Sequence, residues 1–308
     1  MTVRTPDDVL AMVPVLMGFV PEDSVVMLTF GAPRPFHARV DLPRGPDALD
    51  DLEEVVDQLL APVRAHGVTK VLFVLYTVDA VLASLAVERL LTAFREAAVE
   101  VVETIRTDGH CWWPGVPDRP DVPGPGVPYD VGSHPVTAQA VLAGRAVLGS
   151  RAQLASTVAY DAALARGVVA ALAALPAGSP TGDVAARVRT EMVSYAAGEA
   201  APDDATVAWL LRALLEPGAR DAAAGLVTPE NAGRHAGFWT EVVRRSPDPL
   251  VAAPAALLAF AAWRAGDGAR GWCAVDRCLD AAPDDPLGRL VATVLAQAVP
   301  PDAWEDRA

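Results

Sequence analysis

Over the first 113 positions the hydrophobic residues switch between helical spacing and strand-like runs. Val9, Met12, Val13 and Leu16 recur at helical spacing behind Asp7 and Asp8, either of which can act as N-cap, and Gly18 supplies the stop. Ser24–Phe30 is a near-continuous apolar run of strand length, which suits a strand covered on both faces. Gly31, Pro33 and Pro35 break it. Phe36–Leu42 returns with Phe36, Ala38, Val40 and Leu42 alternating against His37, Arg39 and Asp41, so the two runs read as an antiparallel pair. Pro46 fits the first turn of the next helix, whose stripe Leu52, Val55, Val56, Leu59, Leu60 and Val63 faces away from Asp51, Glu54 and Asp57. Gly67 closes it. Lys70–Tyr76 (KVLFVLY) is apolar enough to be the central strand. Asp79 suits the cap of a long helix bearing Val87, Leu90, Leu91, Phe94 and Ala98, and Val99–Thr107 is a third strand. Asp108-Gly109 is a hairpin signal that folds His110–Trp113 back as a short edge strand.

Two strand–helix–strand crossovers in succession predict an α/β domain with a mixed, mostly parallel sheet flanked by helices. From Pro114 to Pro135 the density of Pro and Gly forbids regular structure. Tyr129 among apolar and aromatic neighbours favours a loop wrapped over this domain, which therefore spans residues 1–135. Residues 136–308 form an all-helical domain of alanine-rich segments: Val136–Leu148, Arg151–Leu175, Gly182–Ala197, Asp203–Leu214, Arg220–Val227, Glu230–Arg245, Ala255–Ala265, Gly268–Ala281 and Leu287–Ala298. In the last hairpin Leu258, Ala259, Gly271, Val275, Cys278 and Pro283 keep the relative spacing of a tetratricopeptide repeat. The repeat's tryptophan and tyrosine positions fall on Ala255 and Ala262, so the expected packing is tetratricopeptide-like without a regular array.

Charge narrows the partners. A formal net charge of −14 over 308 residues argues against nucleic acid or an anionic membrane. The longest apolar runs fall short of a membrane span, and the N-terminus lacks a basic segment followed by an apolar core. Cys111, Cys273 and Cys278 show no paired spacing and read as reduced thiols of a cytoplasmic protein.

VPVLMGFVPEDSVV (Val13–Val26), RVDLP (Arg39–Pro43), DGHCWWP (Asp108–Pro114) and the C-terminal Ala259–Pro286 segment resemble a bacterial family known as domain of unknown function 4192. The resemblance extends over most of the chain and brings no activity with it. The segment Gly115–Val131 contains no cysteine, which counts against a metal site there.

Candidate chemistry centres on three aspartates. Asp41, Asp79 and Asp108 each end or follow one of three strands predicted to run parallel, and ligands of open α/β sheets bind outside such strand ends. Converging, the carboxylates would suit Mg²⁺ or Mn²⁺ and phosphoryl or nucleotide chemistry, with Arg39 clamping an anion. The plainer reading outweighs this one: Asp79 a helix cap, Asp108 the first residue of a turn, Asp41 a strand end neutralised by Arg39. His110 and Trp112 could line the same cleft with Trp113, Tyr76 and His134, although tryptophans on a short edge strand more often pack under a loop. His110 and Cys111 are sequence neighbours on a strand and point to opposite faces, so they cannot readily act as a pair. No phosphate-binding glycine motif, nucleophile elbow or zinc spacing is present, and no cofactor or metal is implied. Two functions stay open. One is a non-catalytic interaction or regulatory module whose helical domain offers a concave surface to a peptide or protein. The other is a small-ligand or divalent-metal-dependent phosphate- or nucleotide-processing enzyme at the sheet edge.

Overall fold

The computed structural model describes residues 4–45, 48, 51–115, 124–142, 147–176, 178, 180, 182–196, 198 and 201–307. It divides into two compact units, the first ending at Arg151 and the second beginning at Ala152.

The first unit runs α1 (Pro6–Met17), β1 (Ser24–Phe30), β2 (His37–Asp41), α2 (Leu52–Ala65), β3 (Lys70–Tyr76), α3 (Ala80–Glu96), β4 (Glu100–Thr107), β5 (Cys111–Pro114), β6 (Val127–Pro128) and α4 (Pro135–Leu142). The six strands lie in the order β2-β1-β3-β4-β5-β6. The expectation of a mostly parallel sheet is corrected here. Among the described strands only β3 and β4 pair in parallel; β1 pairs antiparallel with both β2 and β3, and β5 antiparallel with both β4 and β6. The reason is burial. Ser24 to Thr29 are buried without interruption, which demands a neighbour on each side, whereas β2 exposes His37 and Asp41 and serves as an edge. The crossover from β2 through α2 therefore returns a strand of the same direction that pairs with β1 instead.

Each face of this sheet is covered. Leu59, Val63, Leu90 and Phe94 from α2 and α3 pack on Val25, Met27, Phe73 and Leu75, with the Phe73 and Phe94 rings edge to face at 5.0 Å. On the other face Val9, Leu10 and Val13 of α1 cover Val26, Leu28, Val74 and Ile105. The cap of α1 is Thr5, one turn ahead of the aspartates expected to fill that role. Pro6, lacking an N–H, takes the first helical position, so Thr5 Oγ1 accepts from Asp8 N at 3.2 Å while the Asp8 carboxylate accepts from Thr5 N at 3.0 Å. Gly18 ends the helix at φ 77°, in the left-handed region. Pro46, expected in the first turn of α2, lies outside the described residues, as does 116–123 of the Pro/Gly-rich segment. The part of that segment that follows is not wholly irregular as expected: Val127–Pro128 extends the sheet as β6, pairing beside β5 with Cys111 and Trp112. The expected start of the helical domain at Val136 also differs from the structure: α4 packs on α1, and Leu148 bridges to Phe19, so both belong to the sheet unit.

The second unit contains α5 (Arg151–Ser156), α6 (Ala162–Ala174), α7 (Val184–Ala196), α8 (Asp204–Ala213), α9 (Pro217–Ala224), α10 (Ala232–Arg244), α11 (Ala252–Arg264), α12 (Gly268–Ala281), α13 (Pro286–Ala296) and a closing 3-10 turn, Pro301–Arg307. The single helix expected over Arg151–Leu175 is broken, because Asp161 caps α6 by accepting from Ala163 N and Leu164 N. Helix α11 (AAPAALLAFAAWR) is apolar on all sides and buried along its whole length, against α10, α12 and α13. A Cβ on Gly271 of α12 would stand 3.2 Å from Leu295 Cδ1 of α13, a tight contact, and at an ordinary 3.7 Å from the Ala259 carbonyl oxygen of α11. Part of the acidity is explained locally. Asp161, Asp183, Asp203, Asp267 and Asp285 each accept from a backbone N–H at a helix start.

Candidate functional site: a polar row across the end of the sheet

Strand pairing aligns one residue from each strand in a transverse row: Asp41, Ser24, Tyr76, Thr107, Trp112 and Val127. Directly paired residues share a face, so this row lies on the α1 side, beyond the apolar positions α1 covers. Strands β2, β3 and β4 all run in the same direction, and the row marks the end where their carboxyl termini emerge.

Ser24 and Tyr76 are buried, at 0% and 4% exposure, and among the described residues neither Ser24 Oγ nor Tyr76 OH has a hydrogen-bond partner. Burial pushes the Tyr76 phenol well above its ordinary pKa, helped by the nearby Tyr129. Thr107 Oγ1 and Tyr129 OH share a hydrogen bond at 2.9 Å, and Tyr129 N donates to the His110 carbonyl at 3.1 Å. The Tyr129 phenol is also raised, chiefly by burial, with the Asp108 and Asp7 charges adding to it against the Thr107 hydrogen bond.

The six residues singled out in the sequence all lie at or beside this end, with separate engagements. Arg39 Nη2 holds Asp41 Oδ1 at 2.5 Å and the Glu22 carbonyl at 3.3 Å, and its guanidinium sits 5.6 Å from the Phe19 ring centre. The Asp41 side chain is 70% exposed, so the pair contributes little to stability. Asp79 Oδ1 accepts from Val81 N and Leu82 N, both at 2.9 Å, as the cap of α3. Asp108 Oδ1 accepts from His110 N at 2.9 Å and Cys111 N at 2.8 Å. Burial works to raise the Asp108 carboxyl, but those N–H donors, with the His110 and Arg106 charges, outweigh it and hold the group below its ordinary value. His110 is exposed, and Trp112 Nε1 donates to Asp7 Oδ1 at 3.0 Å. Among the described residues, no group of three or more His, Cys, Asp or Glu side chains is placed to hold a metal ion.

Several participants escaped the sequence reading. Ser24, Thr107 and the acid–base contact between Asp8 and His134 (3.3 Å) are brought in by pairing and by the packing of α1. The available signal was a polar residue at the end of an apolar strand, repeated at Ser24 and Thr107. Trp113 is on the opposite face from Trp112. It stacks under the Arg106 guanidinium at 3.8 Å, and its Nε1 donates to the Gly124 carbonyl. In the helical unit an open depression of about 590 Å³ lies between the starts of α7 and α9, with Asp183, Val184, Glu216 and Gly218 on its walls.

A family model described as Domain of unknown function (DUF4192) matches residues 6–302. The chain belongs to this family. Neither the curated proteins nor the solved structures provide a match. The DUF4192 match runs from the first residue of α1 into the closing 3-10 turn, so the family pattern includes both units, the polar row and the helices alike. In this DUF4192 chain no described helix is long and apolar enough to cross a membrane.

Proposed function

We propose that this DUF4192 chain is a non-catalytic protein-interaction or regulatory module of the cytoplasm, with the helical unit offering the surface for a peptide or protein. What supports this reading is α11, buried along its whole length against α10, α12 and α13 like the enclosed helix of a tetratricopeptide-like stack. Helices stacked in that way enclose an inner helix and leave the outer ones free to contact a partner. The apolar residues Leu164 and Val169 of α6 and Val193 of α7 stand 41–55% exposed on such outer helices. Among the described residues Cys111, Cys273 and Cys278 form no disulfide, which accords with a reducing compartment.

The competing reading, a metal-dependent phosphate or nucleotide enzyme at the sheet edge, draws little support from Asp41, Asp79 and Asp108. Each is occupied by an arginine or by backbone N–H groups.

Photo-crosslinking in the cell of origin tests the choice. A photoreactive side chain at Leu164 or Val193 is expected to capture one recurrent protein, while the same group at the exposed Val102 of β4 captures none. Equal capture from both units, or a saturable thermal shift with a nucleotide and Mg²⁺ that Asp41→Asn abolishes, would overturn the reading.

A further inference from the structure

Proline fixes φ and lacks an N–H, and a residue that precedes proline is steered to extended backbone, so a proline-rich run leaves carbonyls without partners inside the run. Grooves that hold such runs supply aromatic rings and N–H donors to those carbonyls. Residues 299–304, Val-Pro-Pro-Asp-Ala-Trp, meet α11 in that manner. Val299 and Pro300 each precede a proline. Trp263 Nε1 of α11 donates to the Val299 carbonyl at 2.9 Å, and the adjacent Arg264 Nη1 donates to the Pro301 carbonyl. Three residues on, the Trp304 ring stands edge to face with Phe260 at 5.3 Å and with Trp263 at 6.0 Å.

Two donors on consecutive residues of one helix thus hold backbone carbonyls two residues apart, and an aromatic slot takes the ring that follows. Backbone carbonyls carry no side-chain identity, so this seat selects a proline-set backbone with a trailing aromatic residue. The segment sits lightly in it. Phe260 and Trp263 are 2% and 4% exposed, but Trp304 over them keeps 38% of its surface in solvent. The backbone from Pro301 is a seven-residue 3-10 turn, and 3-10 runs beyond three or four residues are uncommon because their hydrogen-bond geometry is poorer. We propose that the face of α11 formed by Phe260, Trp263 and Arg264 is a docking site for a proline-rich partner segment carrying an aromatic residue, which this chain's own residues 299–304 occupy until the partner displaces them. The proposal rests on the reading of the helical unit as the interaction module and deepens it, placing the site on α11 and naming the chemistry of the partner.

Fluorescence anisotropy with a labelled peptide of residues 297–306 tests the site on the full chain. A tethered segment competes at an effective concentration on the order of mM, so a Trp304→Ala chain, its own anchor removed, should bind the peptide at least about tenfold more tightly than the unaltered chain. Adding Trp263→Phe should reverse that gain. Peptides carrying Trp304→Ala, or Pro300→Ala with Pro301→Ala, should bind clearly more weakly. Where the Trp304→Ala chain does not fold, the unaltered chain decides: a peptide with a photoreactive phenylalanine analogue in place of Trp304 should crosslink to α11. Equal binding of the alanine-substituted peptides, no binding by a folded Trp304→Ala chain, or a crosslink absent or outside α11 would overturn the proposal. So would a dimer of the unaltered chain that Trp304→Ala abolishes, since the occupant would then be the segment of a second copy. Capture of a protein at Leu164 or Val193 without any peptide binding would remove this site and leave the interaction module standing.

Discussion

Trp112 Nε1 on β5 donates to Asp7 Oδ1 in the first turn of α1, at 3.0 Å and across 105 positions of sequence. At the other end of the same helix Phe19, the residue after the terminating glycine, lies against Arg39 of β2. Helix α1 is thus held at its start by a hydrogen bond to β5, just beyond its end by the Arg39–Phe19 cation–π contact with β2, and along its middle by apolar packing. Trp112→Phe keeps most of the apolar area and removes the hydrogen bond. It is expected to cost about 1 kcal/mol in urea denaturation, with an unchanged m-value. An unaltered midpoint would mean that α1 gains nothing from this contact.

Asp79 separates the structural from the catalytic reading of the sheet edge. As the cap of α3 it holds two N–H groups, so Asp79→Ala should cost about 1 kcal/mol, and Asp79→Asn less, since an amide oxygen also caps. Mg²⁺ or Mn²⁺ is expected to produce no shift of the melting temperature specific to Asp41, Asp79 or Asp108. A metal-dependent rise lost in the Asp41→Asn, Asp79→Asn double variant would restore the enzyme reading.

His235 of α10 is buried at 2% exposure, its Nδ1 has no hydrogen-bond partner among the described residues, and burial lowers its pKa. The folded protein therefore holds this imidazole neutral where the unfolded chain, near pKa 6.5, has begun to protonate. The unfolded state binds more protons in that window, so stability falls as pH drops below about 6.5 toward the depressed folded value. Melting temperatures between pH 7.5 and 5.5 should show that fall, and His235→Gln should flatten it. An equal slope in the variant would assign the effect to other groups.

Cys278 of α12 is fully buried, and its thiol is pushed up to about 12, by burial first and then by the Asp285 carboxylate, against the opposing Arg220 charge. Only a thiolate alkylates readily. With iodoacetamide at pH 8 the half-buried Cys111 is expected to react first, and Cys278 only after unfolding. Mass spectrometry showing Cys278 modified in the native protein would place it nearer the surface than the structure does.

The amino-acid sequence by itself determined the elements whose signal is local. The apolar runs Ser24–Phe30 and Lys70–Tyr76 form strands with those same bounds, and the stripe from Leu52 to Val63 is the buried face of α2. Gly18 and Asp79 terminate and cap because backbone conformation and side-chain reach span only a few residues. Residues 151–175 read as one helix because alanine-rich periodicity runs through Asp161. Its carboxylate favours a new cap, and Arg244 of α10 pairs with it at 3.2 Å, a contact no local pattern contains. Strand order was likewise beyond the sequence. Period-two alternation tells which residues share a face of one strand but not which strand lies beside it, so β1 could slip between β2 and β3 unseen. The polar row follows from that order alone. Ser24, Tyr76 and Thr107 are scattered over 84 residues, and only hydrogen-bonded register, a long-range property of the folded sheet, sets them side by side.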